Sequence, residues 1–97
     1  MRIVWSPLAV ERAIEAARYI AADDTPAAQS WVEGLFVRVE RLSRFPESGR
    51  LVPELRRVDV RETIHGSDRV IYRTEKARLV ILTVRHVRRL LDPGELR

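Results

Sequence analysis

The residues able to do chemistry crowd the C-terminal half of the chain. Arg61-Glu62, then Asp68-Arg69-Val70-Ile71-Tyr72-Arg73, then Leu79-Val80-Ile81-Leu82-Thr83-Val84-Arg85-His86-Val87-Arg88-Arg89 follow one another with short gaps. Guanidinium groups stay protonated and offer a rigid fork of donors, so such a set can hold phosphates or carboxylates. The charge is lopsided: residues 1–54 carry 7 Arg/Lys against 8 Asp/Glu, whereas residues 55–97 carry 11 against 6. Summed positive potential concentrates acidic or polyanionic partners and speeds their encounter, without saying which one is met.

The rest of the composition narrows the chemistry. Ninety-seven residues with 45% apolar content suffice for one domain, residues 1–97, with one core. With no cysteine there is no disulfide framework, thiolate nucleophile or thiolate metal site, and the only histidines are His65 and His86, so neither a metal nor a cofactor is expected. The N-terminus reaches charged residues too soon for a signal-peptide core, and no apolar run approaches the roughly 18 residues of a membrane helix. A soluble protein of the reducing cytoplasm, with no membrane partner, is the expectation.

These residues need elements to position them. Residues 2 to 5 alternate charged and apolar, and Ser6-Pro7 supplies an N-cap oxygen followed by a proline at the first helical position. Val10, Ala13, Ile14, Ala17, Ile20 and Ala21 then recur at helical spacing to about Ala22. Asp23-Asp24 interrupts this helix, and Thr25-Pro26 repeats the cap-plus-proline signal before a second one, whose stripe is Ala28, Val32, Leu35, Val39 and Leu42, widened by Trp31 and Phe36. So short a turn predicts an antiparallel helical hairpin. Phe45-Pro46 and Gly49 end it, and Pro53 keeps the following connection irregular. Val58, Val60 and Ile64 at period two predict a strand, with Asp59, Arg61 and Thr63 on its other face. His65-Gly66-Ser67-Asp68 predicts a turn, Arg69 to Arg73 a strand, and Leu79 to Val84 an apolar run expected to be the central strand. Residues 90 to 97 read as a short mobile tail.

The order predicts an α+β fold: an N-terminal strand, an antiparallel helical hairpin, then a three-stranded antiparallel meander, with the helices packed on one face of a single sheet. The N-terminal strand is expected beside the last one, where both gain a second partner. If the helices cover one face, the other is expected to be open and lined by arginine.

The chain resembles the RelE/ParE family of toxins from type II toxin–antitoxin modules over nearly its whole length. The pieces are Trp5-Ser6-Pro7 with Ala9, Tyr19-Ile20, Phe45-Pro46 followed by Gly49-Arg50, Val60-Arg61-Glu62, Arg69-Val70-Ile71-Tyr72-Arg73, and Val80 through Arg89. Two chemistries are implied. RelE-like members cut messenger RNA on the ribosome, which needs proton carriers as well as positive charge; arginine is a poor general base, and Lys76, the one lysine, falls in a predicted turn. The candidates under that resemblance are Glu62 and His86 for proton transfer, with Arg61, Arg69 and Arg85 for charge stabilisation. ParE-like members resemble the chain more closely in Val60-Arg61-Glu62, Tyr72-Arg73 and His86-Val87-Arg88-Arg89. That resemblance implies inhibition of DNA gyrase by a binding surface rather than a catalytic one, with Arg88, Arg89 and Arg97 as candidate target contacts. A cognate antitoxin is the implied partner in both cases, laying an acidic segment over the helical hairpin and the arginine face. A degenerate toxin retained for antitoxin binding or autoregulation is the third reading.

Structural roles compete for the same residues. His86, at the end of an apolar strand, can be a proton carrier or a histidine hydrogen-bonded to backbone. Glu62 shares a strand face with Val58 and Val60, so it is expected to be partly buried and to pair with an arginine such as Arg73 rather than to act as a base. His65 reads as a turn residue and Tyr72 as packing.

Overall fold

Ser6 joins the two halves of the chain. Its hydroxyl accepts from the Ala9 N–H at 3.0 Å and donates to the Leu82 carbonyl at 2.8 Å, so a single side chain caps a helix and ties it to a strand. A computed structural model describes residues 1–96. The elements are β1 (Arg2–Trp5), α1 (Pro7–Ala21), α2 (Thr25–Arg44), β2 (Arg50–Leu51), β3 (Val60–His65), β4 (Asp68–Glu75), β5 (Arg78–His86) and a 3-10 turn at Pro93–Leu96. Asp24, not Thr25, caps α2: its Oδ1 accepts from the Ala27 N–H at 3.0 Å. Aspartate is the better acceptor, and the cap therefore lies one residue earlier than the Thr-Pro pair suggests.

The sheet order is β1-β5-β4-β3-β2, with β1 parallel to β5 and the other neighbours antiparallel. The α+β expectation and the place of the N-terminal strand beside the last one both hold. The middle position belongs to β4, while β5 lies between β1 and β4. The two-residue β2 was not foreseen, because so short a strand carries no periodicity, and Val58 falls outside β3 and is exposed.

A bulge in β5 decides which way its chemistry points. Ile71 pairs with Thr83 but Tyr72 pairs with Ile81, which leaves Leu82 as the extra residue. Before the bulge Leu79 and Ile81 pack under the helices; after it Val84 does, so the alternation is inverted and Arg85 is aimed away from the helices.

The core has two parts. Under the hairpin, Ala9, Trp31, Leu35, Val39 and Leu42 meet Val70, Tyr72, Leu79, Ile81 and Val84. On the opposite face, Val60, Ile71, Val80 and Leu82 are covered by Val52 and by Leu91 and Leu96. This second cluster corrects two expectations. The face away from the helices is not an open arginine surface, because the connection after β2 and the C-terminal turn lie across it. Residues 91–96 are not a loose tail either, since Leu91, Glu95 and Leu96 are buried.

Two tight hairpins order the meander. Gly66 has φ +60 at the first position of the two-residue loop between His65 and Asp68, as a type II′ turn requires. Ala77 adopts φ 64 in the loop between Glu75 and Arg78, where a Cβ is strained. Gly49 is needed for a different reason: any Cβ there would run into the Tyr72 hydroxyl and lie 2.6 Å from the Glu62 carbonyl.

Two opposite results are expected in urea unfolding. Ala77→Gly should stabilise by about 0.5–1 kcal/mol by relieving the left-handed conformation. Gly49→Ala should destabilise by about 2 kcal/mol through overpacking.

Candidate functional site

Arg69 is the centre of the arginine-rich end of the sheet. It lies on the face away from the helices, 5% exposed, and is flanked by two carboxylates. Its Nε donates to Glu62 Oε1 at 2.9 Å, and its Nη1 and Nη2 donate to the two oxygens of Glu54, each at 2.8 Å. Nη1 also reaches the Arg89 carbonyl at 3.3 Å. Glu62, 1% exposed, is closed on its other oxygen by Arg50, whose Nε lies 2.8 Å from Oε2. Register explains the chain of charges: Arg50 stands opposite Glu62 across β2 and β3, and Arg69 is diagonal to Glu62 across β3 and β4.

The expected partner of Glu62 was Arg73, and this is corrected. Arg73 is also diagonal to Glu62, but Glu75 stands two residues farther along the same strand face and takes it, with Nε–Oε2 at 2.9 Å. Glu75 is shared with Arg78. The expectation that Glu62 is buried and paired with an arginine holds.

The electrostatics follow from this geometry. Hydrogen bonding by Arg69 holds the Glu54 carboxyl down at about 2 from the usual 4.5; burial works against this, and the Leu91 N–H, 3.2 Å from Oε2, adds to it. Arg69 is correspondingly raised, first by Glu54 and then by Glu62, against the cost of burial. Glu54 and Arg69 together clamp residues 89–91 onto the sheet.

That clamp carries an exposed turn. Val87 N–H donates to the Ser67 carbonyl at 2.9 Å, Arg89 N–H to the His86 carbonyl at 3.0 Å, and Arg88 N–H to His86 Nδ1 at 3.1 Å. The His86 Nδ1 thus accepts from its own backbone. The side chains of Arg88 and Arg89 are exposed and make no hydrogen bond or ion pair among the described residues. Arg97 lies outside the described residues.

Of the remaining candidates, Arg85 is the register partner of Arg69 across β4 and β5 and shares its face of the sheet, while Arg61 and Tyr72 lie on the other face. Arg61 is paired with Tyr72, on the opposite face of the sheet from Glu62, and donates to the Gly49 carbonyl at 2.8 Å. Tyr72 is fully buried; its hydroxyl donates to the Pro46 carbonyl at 2.8 Å and accepts from the Gly49 N–H at 3.0 Å, and burial pushes its pKa up. Arg85 donates to Glu95 at 2.6 Å, and Glu95 also takes Arg12 of α1 at 3.3 Å. His65 is not a turn residue: it ends β3, its ring packs on Trp31 at 5.4 Å between centroids, and Nε2 donates to the Trp31 carbonyl at 2.8 Å. Gly34 makes room for that ring, since a Cβ there would come within 2.8 Å of it. Among the described residues no group of three His, Asp or Glu could hold a metal ion.

A second concave surface was missed by sequence reasoning. Trp5, Val10, Ala13, Ile14, Trp31 and Phe36 line a wholly apolar groove of about 330 Å³ across the hairpin. Val10, Ile14 and Phe36 belong to the apolar stripes of the two helices, yet they are 44%, 46% and 58% exposed. The signal was there in the unusually wide apolar stripe of both helices, wider than one sheet face can bury.

Acid should weaken the Glu54 clamp. Because the folded carboxyl sits near 2 against the usual 4.5, its contribution is complete above 4.5 and is lost as the pH falls through 4.5 toward 2. Stability measured by urea unfolding between pH 5 and about 2 should fall less steeply in Glu54→Gln than in the parent chain.

Comparison with known proteins agrees with this fold. No curated protein matches the chain. The solved structure described as "Chromosomal ParDE TA system from P. aeruginosa" is similar in fold, with a TM-score of 0.75 at 17% identity, covering 90% of this chain and 96% of that one. A family model described as "ParE toxin of type II toxin-antitoxin system, parDE" matches residues 3–91, nearly all of the sheet and the whole hairpin. The chain belongs to the ParE toxin family of type II toxin–antitoxin systems.

Proposed function

We propose that this toxin inhibits DNA gyrase and so arrests replication, and that a cognate antitoxin neutralises it in the cytoplasm. The observation that carries the reading is the neutralisation of the buried arginines. Ribonuclease chemistry needs cationic donors aimed at the developing phosphorane charge and a proton acceptor within hydrogen-bond reach of the 2′-hydroxyl. Here Arg69 is committed to Glu54 and Glu62, and Arg85 gives its Nη1 to Glu95, while Arg61 faces the other way and the His86 Nδ1 is engaged by its own turn. What stays free is an exposed, hydrogen-bonded turn bearing Arg88 and Arg89, suited to binding a macromolecule. These two side chains are the proposed target contacts; arginine at a protein interface commonly dominates its energetics.

The antitoxin is proposed to dock an amphipathic helix in the apolar groove of the hairpin. A groove with no polar lining and three large apolar side chains half exposed at its rim matches the helix-in-groove mode of recognition.

Purified protein should abolish gyrase supercoiling and leave linearised plasmid, and excess antitoxin should reverse both effects. Unaffected gyrase, with codon-dependent 5′ ends on messenger RNA in primer extension, would instead make the chain a ribosome-dependent nuclease. His86→Asn should retain gyrase inhibition, because an asparagine oxygen can accept from the N–H two residues on, whereas His86→Ala should lose about fivefold by loosening the turn. A proton-carrying His86 would lose activity equally in both variants.

A further inference from the structure

The far end of the sheet, where a turn joins β4 to β5, carries a row of charge that the fold does not neutralise. Arg2 of β1 is in register with Arg78 of β5, and Arg78 with Glu75 of β4, so the three stand side by side across adjacent strands. Arg73 lies two residues from Glu75 on the same strand face, and Lys76 sits in the turn. Glu75 is the only carboxylate of the row, and both its oxygens are taken: Oε1 accepts from Arg78 Nε at 2.6 Å and Oε2 from Arg73 Nε at 2.9 Å. Asp59, whose carbonyl accepts from the Thr74 N–H, is closed by Arg57 at 3.1 and 2.8 Å and adds no net charge.

Two features distinguish this end from an ordinary solvated edge. Neighbouring strands lie about 4.8 Å apart, so guanidiniums in register on one face repel each other unless an anion lies between them. Arg2 has no such partner: its exposed side chain makes no hydrogen bond or ion pair among the described residues, and neither does that of Lys76. The Arg78 side chain is 43% exposed, and its two Nη groups have no acceptor among the described residues. The second feature is the absence of an apolar rim, since no residue of β1, β4, β5 or the turn at 76–77 is an exposed large apolar one. The turn at the other end is built differently, with Val87 and Leu90 exposed beside Arg88 and Arg89. Protein interfaces gather apolar anchors, whereas a phosphate backbone is met by cations and hydrogen-bond donors.

We propose that this end of the sheet binds the phosphodiester backbone of nucleic acid without reading its sequence, Arg2 and Arg78 closing on one phosphate and Lys76 on a neighbouring one. The bound anion relieves the repulsion between the two guanidiniums that the fold itself leaves in place. An acidic peptide fits less well, because its apolar side chains would find nothing to pack against. The inference goes beyond the toxin reading and does not depend on it. Where both hold, the two basic ends have separate partners: the Arg88–Arg89 turn meets the enzyme, and the opposite end, about 26 Å away along β5, lies on the DNA that the enzyme holds.

The test is the fluorescence anisotropy of a labelled DNA duplex of about 20 bp, and of an RNA duplex of the same sequence, titrated with the full chain and with its Arg2→Gln/Lys76→Gln variant between about 50 and 200 mM salt. Both side chains are exposed, and a thermal midpoint no lower than the parent's will show that the variant folds. Expected is binding by the parent that weakens steeply with salt, and in the variant a loss of about tenfold at the lower salt with a log–log slope shallower by about 2. The duplex bound more tightly identifies the nucleic acid, which is DNA where gyrase is the target. No binding by the parent, or a variant within twofold of it, would overturn the inference. So would a larger loss in Arg88→Gln/Arg89→Gln, which would assign the backbone to the other end, or displacement of the duplex by polyglutamate at equal charge, which would make the partner an acidic peptide. In the unaltered chain the duplex should also shift the Arg78 Nε–H signal in NMR, and an unmoved signal would contradict the site without recourse to a variant. The assay contains no gyrase, so its failure leaves the toxin reading standing, and a failure of gyrase inhibition leaves this site standing.

Discussion

A guanidinium placed under a sheet must be neutralised or it cannot be buried, and Arg69 is where this fold meets that constraint. Two carboxylates close around it from different parts of the chain, Glu62 from β3 and Glu54 from the connection after β2. Glu62 in turn holds Arg50 of the short edge strand, and Glu54 accepts from the Leu91 N–H beyond β5. The stretch from β2 through Glu54, the strands β3 and β4, and the chain beyond β5 are thus fastened through one side chain. Removing a single partner from such a buried set typically costs about 3–5 kcal/mol, because the remaining charge is left uncompensated. The same bonds occupy every donor of the Arg69 guanidinium, so its burial and its lack of a free donor have one cause.

The bulge at Leu82 works alongside it. By inverting the alternation of β5 it keeps Val84 under the helices and turns Arg85 toward Glu95, and Glu95 also engages Arg12 of α1. The C-terminal turn therefore lies over the second apolar cluster, held by Leu91 and Leu96 below and by Glu95 between two guanidiniums. Salt should matter little to these contacts, since buried pairs are screened far less than surface ones. The outcome is a molecule with two exposed surfaces of different character at different places: a wholly apolar groove on the hairpin and a basic turn at the end of the meander.

Much of this was legible in the residues. Ser6-Pro7 announced α1, the 3.6-residue periods gave both helices, and the period-two and all-apolar runs gave β3 to β5, because each signal is local. The partnership of β1 with β5 followed from the need of both strands for a neighbour. What escaped was set by tertiary contact. Glu62 faced two diagonal arginines, and nothing local reveals that Glu75 draws off one of them. Residues 91–96 look like a polar tail until their two leucines are seen against Val80 and Leu82. Val10, Ile14 and Phe36 have core-like spacing whether the stripe is covered or left for a partner. The site was legible as a set of arginines, while the division between committed guanidiniums and free ones depended on carboxylates as distant in sequence as Glu54 and Glu95.

The commitment of Arg69 can be observed directly in the free protein through hydrogen exchange at the arginine Nε–H groups, followed by NMR. Expected is an Arg69 Nε–H protected to the degree of the β4 backbone amides, while those of Arg88 and Arg89 exchange at the rate of unpaired side chains. Exchange at Arg69 as fast as at Arg88 and Arg89 would mean that its guanidinium is open to solvent and to ligands, contradicting the structural role assigned to it.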